Sequence, residues 1–264
     1  MNVDKLFSLD DRVALVTGGS RGLGKAIAAG FIARGARVYI SSRKPDACAA
    51  TAQELGPMCT PLACDVASVE GCEALARAFA EREPKLDILV NNAGAAWGAP
   101  MDAFPERGWD KVVDLNLKSP FFLTQKLLDR LRAAASPERP AKVINIASVD
   151  GLRLSPWETY SYHASKAGLF HLTRRMAALL ARQNINVTSI APGAFASDMN
   201  RAARDRAERV ASTIPAGRIG RSQDIAAAAI FLAAASGDYV VGSNLTVDGG
   251  LVDACFGPGI DGDD

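Results

Sequence analysis

Short apolar runs rich in β-branched residues alternate along this chain with longer segments whose apolar residues recur at helical spacing. The first run, at residues 12–19, reads RVALVTGG, and KAIAAGFIARG follows it. The same alternation continues to the run NLTVDGG near the end of the chain. Strands that alternate with helices pair in parallel and carry helices on both faces of their sheet. The sequence therefore predicts an α/β fold built on one doubly wound parallel sheet.

The pattern predicts a single domain over residues 1–264, because 264 residues with 48% hydrophobic content suffice for one core and no interdomain linker is visible. Helical spacing predicts helices over residues 45–55, 70–82, 109–131, 160–182 and 223–235. The Arg- and Ala-rich segment 194–214 is expected to form one or two mobile helices that close over a substrate as a lid. Residues 256–264, rich in Gly and Asp, are expected to be a flexible tail.

Charge and composition argue against several partners. The net charge is +1, so nucleic acid is not expected, and the apolar runs are too short for a membrane helix. The amino terminus does not resemble a secretory signal. The five cysteines form no CxxC pair, which is typical of reduced thiols in a cytoplasmic protein. No metal site is expected, because the two histidines, His163 and His171, lie on one predicted helix.

The loop after the first strand reads TGGSRGLG and places Gly18, Gly22 and Gly24 in a GxxxGxG spacing. Glycines allow a sharp turn and a close approach of backbone amides to a pyrophosphate, which the following helix N-terminus attracts. The loop is therefore a candidate dinucleotide site, a variant of the GxGxxG pattern, to which Ser20, Arg21 and Leu23 also belong. A plain strand-to-helix turn is the alternative.

The end of the second strand, ISSRK, bears on which nicotinamide cofactor binds. A carboxylate at this position holds the ribose hydroxyls of NAD, whereas an arginine accepts the additional phosphate of NADP. Here Ser42 is followed by Arg43, and Arg21 in the glycine loop could reach the same phosphate. These residues favour NADP(H), although Arg43 could also be an ordinary solvated loop charge.

Further motifs make the chain resemble the short-chain dehydrogenase/reductase family. NNAG at residues 91–94 and YHASK at residues 162–166 follow the glycine loop in the family's order, and the resemblance covers residues 11–251. It implies a seven-stranded Rossmann sheet flanked by helices. It also implies hydride transfer between a nicotinamide and a carbonyl or alcohol without a metal.

The resemblance assigns a catalytic tetrad to Asn116, Ser148, Tyr162 and Lys166. Tyr162 and Lys166 are four residues apart and share a helix face. A free tyrosine is a weak acid, so a nearby ammonium is expected to lower the pKa of Tyr162 toward the working range. Ser148 would hydrogen-bond the substrate oxygen, Lys166 would also bind the nicotinamide ribose, and Asn116 would hold a water. Taken singly, each residue could be an ordinary polar side chain.

The resemblance also implies further cofactor contacts. Asp65 and Val66 match the adenine-contacting position, and Asn92, Ala93 and Gly94 would line the nucleotide. The remaining contacts would come from Pro192, Gly193, Phe195, Ser197, Tyr162 and Lys166. Outside these motifs, His163 and His171 are expected to be structural or solvent-facing, and Trp157 is a candidate for the substrate wall.

Several stretches, among them AGAAWGAP, WDKVVDLNL and IAPGAFASDMNR, resemble the NADPH-dependent 3-oxoacyl reductases associated with rhamnolipid synthesis. This implies reduction of a 3-oxoacyl thioester carried by acyl carrier protein or coenzyme A. Another small-molecule carbonyl (a sugar, polyol, quinone or xenobiotic ketone) is the alternative, and a nucleotide-sensing regulator without turnover is a third. The resemblance further implies a homotetramer paired through residues 109–131 and 160–182 and through the C-terminal strand.

Overall fold

Seven parallel strands form one sheet, as the sequence predicts. The computed structural model describes residues 3–197 and 200–254, with the strands in the order β3-β2-β1-β4-β5-β6-β7. The strands are β1 Val13–Thr17, β2 Arg37–Ser42, β3 Cys59–Ala63, β4 Ile88–Asn91, β5 Ala141–Ile146, β6 Ile185–Pro192 and β7 Asn244–Val247. The strand order reverses between β1 and β4, which opens a crevice at the carboxyl ends of these strands. Ligands of doubly wound folds bind in such a crevice.

Helices cover both faces of the sheet. They are α1 Val3–Leu6, α2 Gly22–Ala33, α3 Pro45–Leu55, α4 Val69–Ala80, α5 Glu106–Val113, α6 Ser119–Lys126, α7 Leu128–Ala134, α8 Tyr160–Leu180, α9 Arg201–Asp205, α10 Ala207–Ala211 and α11 Ser222–Ala233. Short 3₁₀ turns lie at Met101–Ala103, Val149–Gly151, Ala181–Gln183 and Ala235–Gly237. None of the helices described here is long and apolar enough to span a membrane.

Alternate side chains of each strand enter two separate cores. Val16 of β1 packs with Ile27 of α2 and Ile225 of α11 on one face. Leu15 packs with Leu75 of α4 and Leu123 of α6 on the other. Because both faces are covered, strands such as β1 are buried at every position, which explains their continuous apolar runs.

The prediction of one long helix over residues 109–131 is wrong. The structure divides this region into α5, a π-helical turn at Asp114–Lys118, α6 and α7. At the π turn the amide of Ser119 bonds to the carbonyl of Asp114, five residues back. Pro120 follows and has no amide hydrogen to give to an α-helical ladder. A second break falls at Leu127, whose ψ of 2° is not helical.

Two short helices, α9 and α10, lie within the predicted lid at residues 194–214. Asn200 begins the first of them, since its Oδ1 accepts the amide of Ala203 at 3.1 Å. The predicted tail at residues 256–264 lies outside the described residues.

A buried ionic cluster lies at the opposite end of the sheet, where the strands begin. Asp87 is fully buried and accepts the amide of Val13 at 3.0 Å, with Arg12 Nη1 3.7 Å from its Oδ1. Beside it, the ammonium of the buried Lys142 lies 2.7 Å from Asp238. This end of the sheet therefore carries paired charges, at the opposite end of the strands from the crevice where ligands are expected.

Candidate active site

The glycine loop is fixed to the end of β4 by side chains on both strands. Thr17, the last residue of β1, accepts the amides of Asn92 and Ala93 on its hydroxyl, each at 3.0 Å. In return, Asn92 Nδ2 donates to the carbonyls of Thr17 at 2.9 Å and Gly18 at 3.2 Å. The NNAG motif and the glycine loop therefore form one rigid unit at the reversal of strand order.

Each loop glycine meets a different steric demand. A Cβ on Gly24 would lie 2.4 Å from Asn92 Nδ2 and from the carbonyl oxygen of Gly18, so only glycine fits where α2 meets the loop. Gly18 and Gly22 have φ values of +63° and +54°, which glycine adopts at little cost. Beside Gly22 the nearest atom to an added Cβ would be the Cβ of Ser197, 4.0 Å away. The loop is thus packed tightly at Gly24, against Asn92, and is open at Gly22, on the side that faces Ser197.

The open space above Gly22 is a concave cradle. A cavity of about 240 Å³ adjoins it, lined by Gly22, Leu23, Phe195 and residues of the α11 start. Helix α2 begins at Gly22, and Arg21 before it provides no side-chain cap, while the Ser20 carbonyl is tied to Thr51 at 2.8 Å. A helix N-terminus over an open glycine cradle suits a pyrophosphate. The residues present therefore fit a dinucleotide cofactor.

The ends of β2 and β3 border the same cradle. The Ser41 carbonyl accepts the amide of Gly19 at 3.1 Å, which fixes β2 against the glycine loop. Ser42 and Arg43 follow, the first half-buried and the second exposed. Beyond β3, Val66 is buried and Asp65 is exposed, with its Oδ1 accepting the amide of Ala67 at 3.1 Å. The predicted phosphate- and adenine-contacting residues thus lie at one edge, and their contacts stay predictions.

Asn116 lies in the π-helical turn and is almost fully buried. Its Oδ1 accepts the amide of Ala95 at 2.8 Å, and its Nδ2 donates to the Ala95 carbonyl at 2.9 Å and to Ser165 Oγ at 3.1 Å. The side chain therefore joins the loop after NNAG to helix α8. A Cβ on Gly94 would lie 3.2 Å from Asn116 Oδ1, so this loop also approaches closely. The predicted water-holding role of Asn116 stays a prediction.

Ser148 and Tyr162 meet at the carboxyl end of β5. Ser148 begins the 3₁₀ turn Val149–Gly151 and accepts the amide of Asp150 on Oγ at 3.1 Å. The Ser148 hydroxyl is close enough to Tyr162 to lower the pKa of the tyrosine by side-chain hydrogen bonding. The opening turn of α8 presents Tyr162, half-buried, toward this serine. Two hydroxyls are thus available to a single carbonyl oxygen.

Lys166 lies one helical turn after Tyr162 and is buried. Its Nζ donates to the carbonyl of Ile146 at 2.7 Å and lies 5.7 Å from the centroid of the Tyr162 ring. Burial lowers the pKa of Lys166 to about 8. An ammonium has three donors, and a single hydrogen bond is found for this one among the described residues. The remaining donors suit ligand hydroxyls such as those of a ribose.

The predicted lowering of the Tyr162 pKa is not what this geometry produces. Burial raises the pKa of Tyr162 to about 12, the hydrogen bond with Ser148 lowers it in part, and the charge of Asp150 raises it. Lys166 is not among the causes; its ammonium donates to the Ile146 carbonyl and lies 5.7 Å from the centroid of the Tyr162 ring. The phenol is therefore held protonated at neutral pH.

The end of β6 and the following loop complete the crevice. Gly193 donates its amide to Val247 at 3.0 Å, and a Cβ on it would lie 2.7 Å from the Cα of Asp248, so Pro192 and Gly193 are packed against β7. The side chain of Phe195 is buried in the core, which leaves its backbone as the part able to reach a cofactor. Ser197 faces Gly22 across the cradle and accepts the amide of Asn200 at 3.0 Å.

A buried polar ladder behind the site was missed by sequence reasoning. Asn91 Nδ2 donates to Asn145 Oδ1 at 2.9 Å, and Asn145 Nδ2 donates to Thr173 Oγ1 at 2.9 Å. All three side chains are at most 4% exposed. The ladder crosses from β4 through β5 to α8 and fixes the helix that carries Tyr162 and Lys166. Only the position of Asn91 within NNAG could have indicated it.

The two histidines agree in part with their predicted structural or solvent-facing roles. His171 is exposed, whereas His163 is partly buried and hydrogen-bonded to Ser155 and Thr159. Asp150, which sequence reasoning did not single out, is near both Tyr162 and His163. Burial raises the pKa of this carboxyl, and the positive charge of Arg153 opposes that rise.

The cysteines of the described residues form no disulfide. Cys48, Cys59 and Cys72 are buried, Cys64 is partly exposed, and all four are free thiols. Burial raises the pKa of Cys59 to about 11. No cluster of His, Cys, Asp and Glu among the described residues could hold a metal ion.

Comparison with known proteins finds relatives over nearly the whole chain. A family model described as "Enoyl-(Acyl carrier protein) reductase" matches residues 18–252. A rhamnolipids biosynthesis 3-oxoacyl-(acyl-carrier-protein) reductase of Pseudomonas aeruginosa is 47% identical over 250 residues, which are 93% of this chain and 98% of that protein. A 2-dehydro-3-deoxy-D-gluconate 5-dehydrogenase of Dickeya dadantii is 36% identical over 92% of this chain and 96% of its own length.

Among solved structures, the RhlG/NADP active-site complex of Pseudomonas aeruginosa superposes with a TM-score of 0.91 at 46% identity. The alignment covers 95% of this chain and 99% of that one. The chain belongs to the short-chain dehydrogenase/reductase family of oxidoreductases. The resemblance inferred from the motifs is thereby confirmed.

Proposed function

We propose that this enzyme reduces the keto group of a 3-oxoacyl thioester with NADPH as its cofactor. The observation that carries the proposal is the convergence of Ser148, Tyr162 and Lys166 beside the open glycine cradle. The 47% identity to a 3-oxoacyl-(acyl-carrier-protein) reductase supports the substrate class. Acyl carrier protein or coenzyme A would carry the acyl group.

The side chains divide the work at the carbonyl. Ser148 donates a hydrogen bond to the carbonyl oxygen and orients it. Tyr162, held protonated by its raised pKa, gives its proton to that oxygen as the carbonyl carbon is reduced. When bound, NADPH supplies the hydride that this carbon accepts. The keto group thereby gains one hydride and one proton and becomes an alcohol.

Lys166 and Asn116 act behind the reacting atoms. The donors of Lys166 that are not used by Ile146 would bind the hydroxyls of the nicotinamide ribose. Asn116 holds the loop after NNAG against α8 through Ala95 and Ser165. Loss of Asn116 would therefore displace both the cofactor loop and the tyrosine helix.

The preference for NADPH over NADH follows from the end of β2. Ser42 and Arg43 stand where an NAD-binding protein has a carboxylate, and Arg43 is exposed toward solvent. The NADP bound in the RhlG complex supports the same cofactor here. The further cofactor contacts proposed are Gly18, Ser20, Arg21, Gly22, Leu23, Gly24, Asp65, Val66, Asn92, Ala93, Gly94, Pro192, Gly193, Phe195 and Ser197.

The assembly and setting belong to the same proposal. We expect a cytoplasmic homotetramer in which residues 194–214 close over the substrate. Leu169, Phe170 and Met176 of α8 are buried in the core, whereas Phe121 of α6 is exposed. The exposed α6 surface is thus the better candidate for subunit contact, and light scattering that finds a monomer would contradict the tetramer.

A second candidate is oxidation or reduction of a sugar acid or polyol, which the 36% identity to a gluconate-type dehydrogenase favours. The deciding experiment follows NADPH absorbance with short and long 3-oxoacyl coenzyme A thioesters and with sugar acids. Turnover of thioesters with NADPH, weaker with NADH and lost in Tyr162→Phe, is the expected result. Turnover of sugar acids alone would replace the first candidate with the second.

A further inference from the structure

A six-residue segment joins the two hydroxyls of the site. It comprises residues 152–157 (the 152–157 segment) and lies between the 3₁₀ turn that Ser148 begins and the helix that carries Tyr162. Three of its six side chains, Leu152, Leu154 and Trp157, are large, apolar and exposed, Leu154 by 88% and Trp157 by 64%. Single exposed apolar residues are common, but a cluster beside a reaction centre marks a binding surface.

His163 fastens the middle of this segment to α8. Its Nε2 lies 3.2 Å from Ser155 Oγ and accepts the Ser155 amide at 3.4 Å. Its Nδ1 lies 3.0 Å from the carbonyl oxygen of Thr159 and 3.1 Å from Thr159 Oγ1. One ring therefore bridges the segment and the residue that precedes α8, immediately beside Tyr162.

The partners determine which ring nitrogen carries the proton. A backbone amide only donates and a carbonyl oxygen only accepts, so Nε2 must accept from Ser155 while Nδ1–H donates to Thr159. The neutral ring with its proton on Nδ1 satisfies both contacts at once. An apolar replacement of His163 would leave the Ser155 amide without this acceptor.

Two other contacts hold the ends of the segment. Arg153 Nη1 donates to the carbonyl of Leu251 at 3.0 Å, and the amide of Thr159 donates to the Trp157 carbonyl at 2.8 Å. Leu154 and Trp157 themselves form no part of the described cores. Their side chains are thus held out from the protein by a fixed backbone, which is the condition for a preorganised ligand surface.

We propose that His163 is a positioning residue that holds the 152–157 segment as an apolar wall for the hydrocarbon chain of the substrate. The inference rests on the proposed function, because a 3-oxoacyl thioester whose keto group lies at Ser148 and Tyr162 must direct an alkyl chain away from that point. The segment is continuous with both residues and offers the exposed apolar side chains that such a chain would cover. A sugar acid would have no use for them.

The test compares NADPH-dependent reduction of 3-oxobutanoyl and 3-oxodecanoyl coenzyme A. Trp157→Ala is expected to lower kcat/KM for the long thioester by about 10-fold or more while changing the short one by less than about 3-fold. Leu179→Ala removes an exposed leucine of α8 outside the segment and should leave the ratio of the two substrates unchanged. If Trp157→Ala lowered kcat/KM equally for both thioesters, the proposed apolar wall would be refuted.

For the histidine, His163→Leu is expected to raise KM for the long thioester by about 5- to 10-fold, with kcat for the short thioester and KM for NADPH nearly unchanged. His163→Gln should restore most of the loss, because its amide oxygen can accept from Ser155 where Nε2 does. His171→Leu on the same helix is the matched control, since His171 is exposed.

The outcomes separate the two proposals. If the wild-type enzyme turns over neither thioester, the proposed function fails before the wall is tested. If it turns over both and His163→Leu lowers kcat alike for both, the histidine serves the Tyr162 helix and the inference is wrong. Should His163→Leu fail to fold, His163→Gln and Trp157→Ala still decide the matter. A changed sedimentation coefficient in Trp157→Ala, without a change in chain-length preference, would assign the surface to a second copy of the chain.

Discussion

A charged lysine buried beside a tyrosine makes the catalytic site a source of instability that can be measured. The pKa of Lys166 falls from its usual 10.5 to about 8 on folding because burial penalises the ammonium. Each pKa unit corresponds to about 1.4 kcal/mol, so protonated Lys166 costs the cofactor-free protein about 3 kcal/mol at neutral pH. We therefore expect Lys166→Met to relieve this cost at pH 7.

The sign follows from the protons that each state binds. Between pH 8 and 10.5 the unfolded lysine holds a proton that the folded one has lost, so the stability of the wild type rises with pH through this window. Below pH 8 both states are protonated and the full penalty applies. The Lys166→Met protein lacks this dependence, although it loses the hydrogen bond to Ile146 at every pH.

The assay is urea unfolding of both proteins without cofactor at pH 7 and pH 9.5. The wild type should gain about 2 kcal/mol relative to Lys166→Met between these two conditions. Taking the difference between the proteins cancels the titration of cysteines and tyrosines. A difference that stays constant from pH 7 to pH 9.5 would refute the reasoning.

Lys142 supplies a matched contrast. It is also buried and its pKa is also lowered, mainly by burial, but its ammonium lies 2.7 Å from Asp238. Removing a paired ammonium leaves the carboxylate without its partner, which destabilises a protein. Lys142→Met should therefore be less stable than the wild type at pH 7, the opposite of the trend expected for Lys166→Met.

Three further outcomes are expected. Tyr162→Phe should lower kcat by about 10²- to 10⁴-fold, while NADPH affinity, measured by fluorescence titration, should stay within about 5-fold of the wild type. Near-normal turnover would show that Tyr162 is not the proton donor. Arg43→Glu should lower kcat/KM for NADPH by about 10- to 100-fold and spare NADH, and an unchanged cofactor ratio would speak against a phosphate contact. Asn145→Leu removes one hydrogen bond from Asn91 and one from Thr173, which keep Thr124 and the Leu169 carbonyl as their other partners. It should lower the free energy of unfolding by about 1–3 kcal/mol in urea titrations, and an unchanged value would contradict a structural role for the ladder.

The sequence predicts the parts of this molecule that depend on short stretches of chain. The buried strands show as continuous apolar runs, and the GxxxGxG and YxxxK spacings identify the loop and the helix that meet at the crevice. The pairing of Tyr162 with Lys166 follows from helical geometry alone. These features need no knowledge of distant contacts.

What sequence reasoning missed depends on contacts between distant residues. Thr17 and Asn92 are hydrogen-bonded although they lie 75 positions apart in the sequence. Asn91 and Asn145 are hydrogen-bonded across a separation of 54 positions. Sequence reasoning also missed the direction of the Tyr162 pKa shift, because that direction depends on how deeply the folded chain buries the phenol. No local sequence pattern indicates such long-range hydrogen bonds or the degree to which a side chain is buried.

The π-helical turn at Asp114–Lys118 has a consequence for how the chain tolerates changes in length. A π-helical turn holds one more residue than an α-helical turn, because its hydrogen bonds span five residues instead of four. Removing one residue here would therefore let α5 run into α6 without interruption and with little change in their relative orientation, but the residues of the turn itself would change position. Asn116 would turn away from Ala95 and Ser165 even though every remaining residue kept its identity. Substitutions at the exposed positions of this turn should be mild, whereas a single-residue deletion should abolish the site. The site thus depends on a count of residues as well as on their kinds.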